Sequence, residues 1–464
     1  MTQAAALRKT LQKRHMQMIA LGGVIGAGLF VGSGVVIGSA GPAAVISFAL
    51  TGMLVVLVMR MLAEMAVAYP VIGGFYEYSR LALGDLAAFL TGWMYWYFWI
   101  IVVALEAVAG AKILGQWWPG VAPWEFTLGL TALFTLVNLL SVRSYGEAEF
   151  WFASIKVAAI VVFLCAGGLF VFGLWPGAAG GLPHLTANGG FMPNGIIPVL
   201  TGAVAATGFY FGTEIVAVAA AESAEPEKAV ADSMQSVIWR VLIFYVGSIF
   251  LVVSIVPWND TASMQRPYVS VLEILHVPSA TFIMSAIILT AVLSALNSGL
   301  FASSRMLMAL AVNGDAPKLF ARLDARGVPA AAILAGTAFA YSAVVMNYVS
   351  PNKVFAFLVN SYGTVAIFVY VLIAVSELKL RKRLEKEMPE RLRVRMWCFP
   401  HLTRLAIGVM LAIVAAMAFI PDQRAPLLFG IVSVGVMLAG YGIRQLGRSS
   451  GGRRQLSGGP RDSL

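Results

Sequence analysis

The chain has 464 residues, 59% of them apolar and only 12% charged, with a mean hydropathy of +0.84. No aqueous fold of this size hides that much apolar surface behind so few charges, so the soluble classes are excluded and the sequence reads as a polytopic membrane protein. A net charge of +10 and a pI near 9.6 do not indicate nucleic-acid binding, because the basic residues are spread over segments flanking apolar runs.

At about 20 residues per crossing, uncharged runs and Gly/Pro punctuation predict twelve transmembrane helices in an all-α protein. Spans 1 and 2 (17–38 and 43–67) are split by Gly38-Ser39-Ala40-Gly41-Pro42, and spans 3, 4 and 5 follow at 88–112, 125–142 and 153–174. The Gly/Pro-rich stretch 176–195 reads as an external loop before span 6 at 196–220. Spans 7 to 12 fall at 238–257, 277–304, 329–349, 354–376, 402–421 and 425–443. These segments are apolar all round, unlike the alternating strands of a β-barrel. The uncharged stretch from Met16 to Met59 is far too long for a signal peptide.

Charge supports the map. With the N-terminus inside, the outward loops carry Lys112, Arg266, Lys353 and Arg424, and the other 28 basic residues lie at the cytoplasmic side. That excess obeys the positive-inside rule and places both termini in the cytoplasm. Five segments follow: a cytoplasmic N-terminus (1–15), a core (16–376), a basic cytoplasmic loop (377–401), two further helices (402–443) and an unstructured cytoplasmic tail (444–464).

Enzymatic chemistry has no foothold. Every Asp lies outside or at the edge of the spans, the four histidines sit at boundaries, and no Gly-Lys dipeptide exists to form a Walker A loop. No catalytic residue, metal or cofactor is assigned. Cys165 and Cys398 suggest no disulfide framework. Without an ATP site, transport would be passive or driven by an ion gradient, and no span repeats a ring-forming pore motif.

Span 1 carries glycines at 22, 23, 26, 28, 32 and 34. They serve close helix packing, as small-xxx-small pairs, or they let the helix unwind and turn backbone amides toward a ligand. Span 6 has Thr207-Gly-Phe-Tyr-Phe-Gly-Thr-Glu214 at mid-depth. Glycine-interrupted segments at spans 1 and 6 occupy corresponding positions if spans 1–5 (16–174) and 6–10 (196–376) are inverted repeats, and that pairing points to a transporter's central site.

The motifs GGVIGAGLFVGSG (22–34), MRMLAEMAVAYP (59–70), LLSVRSYGEAEFWFASIKV (139–157), EIVAVAAAESAEPEKAV (214–230) and SRMLMALAVNGDAP (304–317) resemble the amino acid permeases of the amino acid–polyamine–organocation superfamily. The resemblance runs from about residue 8 to 444, and segments 93–107, 236–250 and 393–400 resemble the γ-aminobutyrate (GABA) permeases. It implies a 5+5 inverted repeat with discontinuous helices 1 and 6, plus two additional C-terminal helices. It also implies a substrate site at Val24, Ile25, Gly26, Ala27 and Gly28 of span 1 and Gly208, Phe209, Phe211 and Gly212 of span 6. Val312 and Asn313 depart from the basic residues that close GABA permeases often carry there, and Gly28 stands where some have serine.

Glu106, Lys156 and Glu214 lie at membrane depth, with Glu222 nearer the inside. Each costs about 2.5–3.5 kcal/mol or more at a helix centre, so a charge without a task is disfavoured. Glu214 either hydrogen-bonds the unwound backbone as a neutral carboxyl or couples protonation to gating. Glu106 pairs with a substrate ammonium, relays a proton, or bonds across the bundle. Lys156 either snorkels inward or, as the resemblance implies, replaces the cation that bridges spans 1 and 8 in sodium-coupled relatives, which favours proton coupling. Glu64 and Arg60 are expected to form an ion pair one turn apart, and the arginines of 379–404 to meet lipid headgroups.

The expected activity is secondary active import of GABA by proton symport across the bacterial inner membrane. The partners are the amino acid, the proton and the bilayer. Alternatives are a permease for proline, β-alanine or an aromatic amino acid, an exchanger, and a non-transporting sensor, whose long signalling extension is not seen in this sequence.

Overall fold

The computed structural model describes residues 12–456 apart from 23–24, 27, 70, 72, 179, 220–241, 351–357 and 359–363. Among them the chain is helical, and an element stands at each of the twelve expected positions. Span 1 is α1 (Lys13–Gly22), then a wide π-turn (Gly28–Gly32) running into α2 (Ser33–Ala40). Span 2 is α3 (Ala44–Ala68), set off from α2 by the Gly41-Pro42 bend. The amphipathic α4 (Phe75–Leu83) precedes span 3, the long α5 (Asp85–Trp117). Spans 4 and 5 are α6 (Pro123–Leu140) and α7 (Val142–Val171).

Span 6 is divided into α8 (Ile196–Tyr210) and α9 (Ile215–Ala219), and the described part of span 7 ends in α10 (Ser248–Ile255). Two short helices, α11 (Thr261–Met264) and α12 (Pro267–Ile274), lead to span 8, α13 (Ala280–Val312). Spans 9 to 12 are α14 (Ala330–Val349), α15 (Val365–Glu387), α16 (His401–Phe419) and α17 (Pro421–Leu456).

Local chemistry sets these boundaries. Pro123 and Pro267 open α6 and α12 at positions where a missing N–H costs nothing. Ser141 caps α7 by accepting from the Ser144 amide at 3.0 Å. Within α6, the hydroxyls of Thr127, Thr131 and Thr135 each donate to the carbonyl one turn back, which removes the cost of carrying them into lipid.

α5 and α13, each 33 residues, pack along one another at the centre. The most apolar window of α5 is 78% buried against 11% for the last span, so spans 11 and 12 form a periphery that shows lipid Leu405, Leu411, Phe419, Leu428 and Val436. Nine helices among the described residues are long and apolar enough to cross a membrane, and the chain is a multi-pass membrane protein.

Three expectations are corrected. Glu64 pairs not with Arg60 but with Arg381 of α15, at 2.5 Å, and also accepts from the Met396 amide. Arg60 instead donates to the Arg395 carbonyl and lies over the Trp397 ring. Part of the 377–401 loop is therefore folded: α15 continues to Glu387, and buried Arg381 neutralises a buried carboxylate rather than meeting headgroups. The tail expected to be unstructured from 444 is helical through Leu456, because a helix already nucleated by span 12 propagates at little cost.

Candidate functional site

The break in span 1 lies between Gly22 and Gly28, where Ile25 and Gly26 leave the helix. A side chain on Gly26 would place its Cβ 3.2 Å from Glu106 Oε1 of α5, so that carboxylate abuts the bare backbone of the break. A Cβ on Gly28 or Gly32 would strike the Phe209 ring at 2.5 and 2.6 Å. These glycines form the slot in which the ring lies.

The break in span 6 spans Phe211 to Glu214. Gly212 adopts φ 125°, a region that side-chain-bearing residues avoid. Its amide donates to Glu214 Oε2 at 3.0 Å, and Tyr370 of α15 donates to the same oxygen at 3.2 Å. Glu214 is thus wholly buried, with its Oε2 held by the break and by Tyr370. Phe211 closes over this region with ring centroids 4.2 Å from Phe98 and 4.9 Å from Tyr370.

Two cavities meet at Phe209. One of about 40 Å³ lies between the breaks, lined by Gly26, Gly28, Trp99, Glu106, Phe209 and Phe211. The other, about 520 Å³, shares Gly28, Glu106, Gly208 and Phe209 and runs to a polar rim with Lys112, Gln265, Arg266 and Gln423. That rim belongs to the face opposite the described N-terminal segment. On the other face α4 closes the path. Gly74 lies so near α9 that a Cβ would sit 3.0 Å from the Ala217 carbonyl. Asp315 pins α4 there by pairing with Arg80 at 2.6 Å, and with Arg444 of α17. Burial raises the Glu77 carboxyl in this cluster, against the neighbouring Arg80, which lowers it.

Lys156 does not snorkel. Its ammonium is buried and donates to the Ile25 carbonyl at 2.9 Å and to Ser294 Oγ of α13 at 2.7 Å. Ser294 in turn donates to Glu149 Oε1 at 2.5 Å. Glu149, fully buried, also accepts from Asn297 Nδ2 at 3.5 Å, and Asn297 accepts from Asn138 Nδ2 at 3.0 Å.

Gly26, Gly28, Gly208, Phe209, Phe211 and Glu106 are therefore gathered around the cavities. The Ile25 carbonyl is taken by Lys156, and the Gly212 amide and the Glu214 carboxylate face each other instead of the cavity lining. Val24, Ala27 and Glu222 lie outside the described residues. Sequence reasoning missed Glu149, because span 5 begins at 142 rather than 153. Its signal was available: Glu149 and Lys156 are two turns apart, on one helix face.

The sequence profile of the amino acid permease family matches residues 15–444. The chain belongs to the amino acid permease family. It is 51% identical over 438 residues to the gamma-aminobutyric acid permease of Bacillus subtilis, covering 94% of this chain and 93% of that one. It is 45% identical to the gamma-aminobutyric acid permease of Escherichia coli, with 92% of each covered. Against the aromatic amino acid transport protein AroP of Corynebacterium glutamicum it is 41% identical, covering 88% and 89%. The permease shares its fold with the manganese transporter of Eremococcus coleocola, at a TM-score of 0.57 and 12% identity over 95% of this chain and 97% of that one. Its family and relatives are transporters, and amino acid transport is its function at that level.

Proposed function

We propose that the permease imports 4-aminobutyrate with a proton across the bacterial inner membrane, with both termini cytoplasmic and the 520 Å³ cavity opening to the outside. The observation that carries this reading is the carboxylate of Glu106, held at the border of both cavities and against Gly26. An ω-amino acid offers an ammonium for that carboxylate. It also offers an unbranched methylene chain for the Phe209 face, and a carboxylate for the backbone amides freed by the span 1 break. With glycine at 26 and 28, the wall adds no side-chain bulk. The names of the relatives at 45–51% identity support the substrate class.

Proton coupling is supported by the Lys156 ammonium, which joins the span 1 break to α13 and so puts a titratable cation of the chain's own between spans 1 and 8. The inverted repeat is supported by breaks that open both halves, spans 1 and 6.

The test is uptake into proteoliposomes with an imposed pH gradient and labelled 4-aminobutyrate, β-alanine, proline and phenylalanine. Accumulation of 4-aminobutyrate that follows the pH gradient and ignores sodium is expected. Transport of phenylalanine or proline in its place would overturn the substrate assignment, and accumulation that follows sodium alone would overturn the coupling.

A further inference from the structure

Seven residues separate Glu149 from Lys156 on α7, roughly 10 Å along the axis, with Glu149 nearer the helix start. Neither side chain is exposed, and one hydroxyl stands between them: Ser294 Oγ accepts from the Lys156 ammonium at 2.7 Å and donates to Glu149 Oε1 at 2.5 Å. A hydroxyl that accepts from an acid on one side and donates to a base on the other gives a proton a continuous hydrogen-bonded path between them. The far side of the carboxylate is fixed as well. Asn138 donates to the Asn297 side-chain oxygen, which leaves the Asn297 amide group turned toward Glu149 Oε2.

We propose that Glu149, through Ser294, is the internal proton acceptor for Lys156 in the coupled transport cycle. The proposal rests on the proton-coupled reading above and adds the group that takes the proton.

The step balances within the site. One Lys156 N–H bond breaks as its proton passes to Ser294 Oγ, the Ser294 O–H proton forms a bond to a Glu149 carboxylate oxygen, and an ammonium–carboxylate pair becomes a neutral amine and acid. Charge vanishes from a dry interior, where separated charges are costly. The amine then holds the Ile25 carbonyl less tightly, because hydrogen bonds from a charged donor are about twice as strong as neutral ones. That carbonyl immediately precedes Gly26, which faces Glu106, so the proton's position reaches the substrate cavity through one peptide. With the termini inside, the transfer moves the proton inward.

The other titratable groups near this pair are placed differently. On α1, Arg14 and His15 engage Glu147, at 2.6 and 3.3 Å, two residues before Glu149 and on another side of α7. Glu106 of α5 lies against Gly26, the residue after the carbonyl that Lys156 holds. Tyr245, before α10, donates to the Phe209 carbonyl. Arg305 of α13 lies over Phe301, whose ring stacks on Tyr145 of α7.

The experiment compares wild type, Ser294→Ala, Ser294→Thr and Glu149→Gln in proteoliposomes. Gradient-driven accumulation of labelled 4-aminobutyrate is divided by counterflow exchange in the same vesicles, which corrects for the amount of folded protein. Ser294→Ala and Glu149→Gln are expected to lower that ratio at least about tenfold, the usual scale for losing a positioned proton-transfer group. Ser294→Thr, which keeps the hydroxyl, should restore it. Ratios like wild type in both Ser294→Ala and Glu149→Gln overturn the relay while leaving proton symport intact, whereas wild type that ignores the pH gradient overturns the coupled reading itself. Should the two variants lose exchange as well, Glu149→Asp decides. A displaced pH profile of driven uptake supports the relay, and an unmoved profile refutes it.

Discussion

Glu106 and Glu214 are both glutamates at membrane depth, each beside a helix break, and their surroundings divide them. Glu106 borders both cavities and abuts Gly26 with nothing bulkier between. Glu214 is sealed behind Phe211, its carboxylate occupied by the Gly212 amide of its own break and by the Tyr370 hydroxyl. A carboxylate at membrane depth is costly in either case. The first stands at the cavity wall, where the proposed substrate would meet it, and the second holds the unwound backbone. Depth alone does not separate the two; lining a cavity does.

The strongest way to break the comparison is to fill the space on which Glu106 depends. Even a methyl group at position 28 meets the Phe209 ring at 2.5 Å, and overpacking by a full isobutyl group forces the ring into the cavity. Gly28→Leu should reduce uptake below detection while membrane insertion stays normal, as read by labelled transport against the amount of protein in the membrane. Wild-type uptake in this variant would mean that the cavity beside Phe209 is not on the substrate path.

Much of this arrangement was legible in the sequence, for reasons that also explain what was not. Long uncharged runs report the bilayer directly, so a described helical element falls within each of the twelve expected ranges, and the helix is interrupted at spans 1 and 6 where the glycines cluster. Gly26, Gly28 and Gly208 of the two glycine-interrupted segments line the cavities. Side-chain direction was not readable. Whether Lys156 pointed to the surface or inward depended on which groups α1 and α13 present to α7, and periodicity cannot supply that. Arg60 and Glu64 have the spacing of a helical ion pair, but the polar chain of 392–397 and α15 return to the same place and outcompete it. Glu149 was lost to a helix start misplaced by about three turns.

A gentler change sharpens the comparison. Glu106→Gln keeps the shape and removes the charge, and a hydrogen bond to a charged group contributes about 1.5–3 kcal/mol, or roughly 10- to 150-fold. The loss should appear in KM for 4-aminobutyrate. Glu214→Gln leaves a carbonyl oxygen to accept from the Gly212 amide, so its KM should change by no more than about twofold. Competition with unlabelled 4-aminobutyrate measures both. A larger KM effect at Glu214 than at Glu106 would reverse the assignment of the two carboxylates.

The smallest expected effect tests the structural half of the comparison. Tyr370 donates to Glu214 Oε2 at 3.2 Å, and Tyr370→Phe removes that hydroxyl while keeping the ring that packs on Phe211. The carboxylate retains the Gly212 amide as a donor, so the break keeps its conformation and loses one hydrogen bond of about 0.5–1.5 kcal/mol. The purified permease should melt slightly lower, with KM for 4-aminobutyrate unchanged, because neither Tyr370 nor Glu214 lines the cavities. Glu214→Ala should cost more stability than Tyr370→Phe, because it leaves the buried Gly212 amide without its acceptor, a penalty of about 1–3 kcal/mol. If Tyr370→Phe raises KM at unchanged melting temperature, the Glu214 cluster acts on the substrate, and its role as a brace for the span 6 break is wrong.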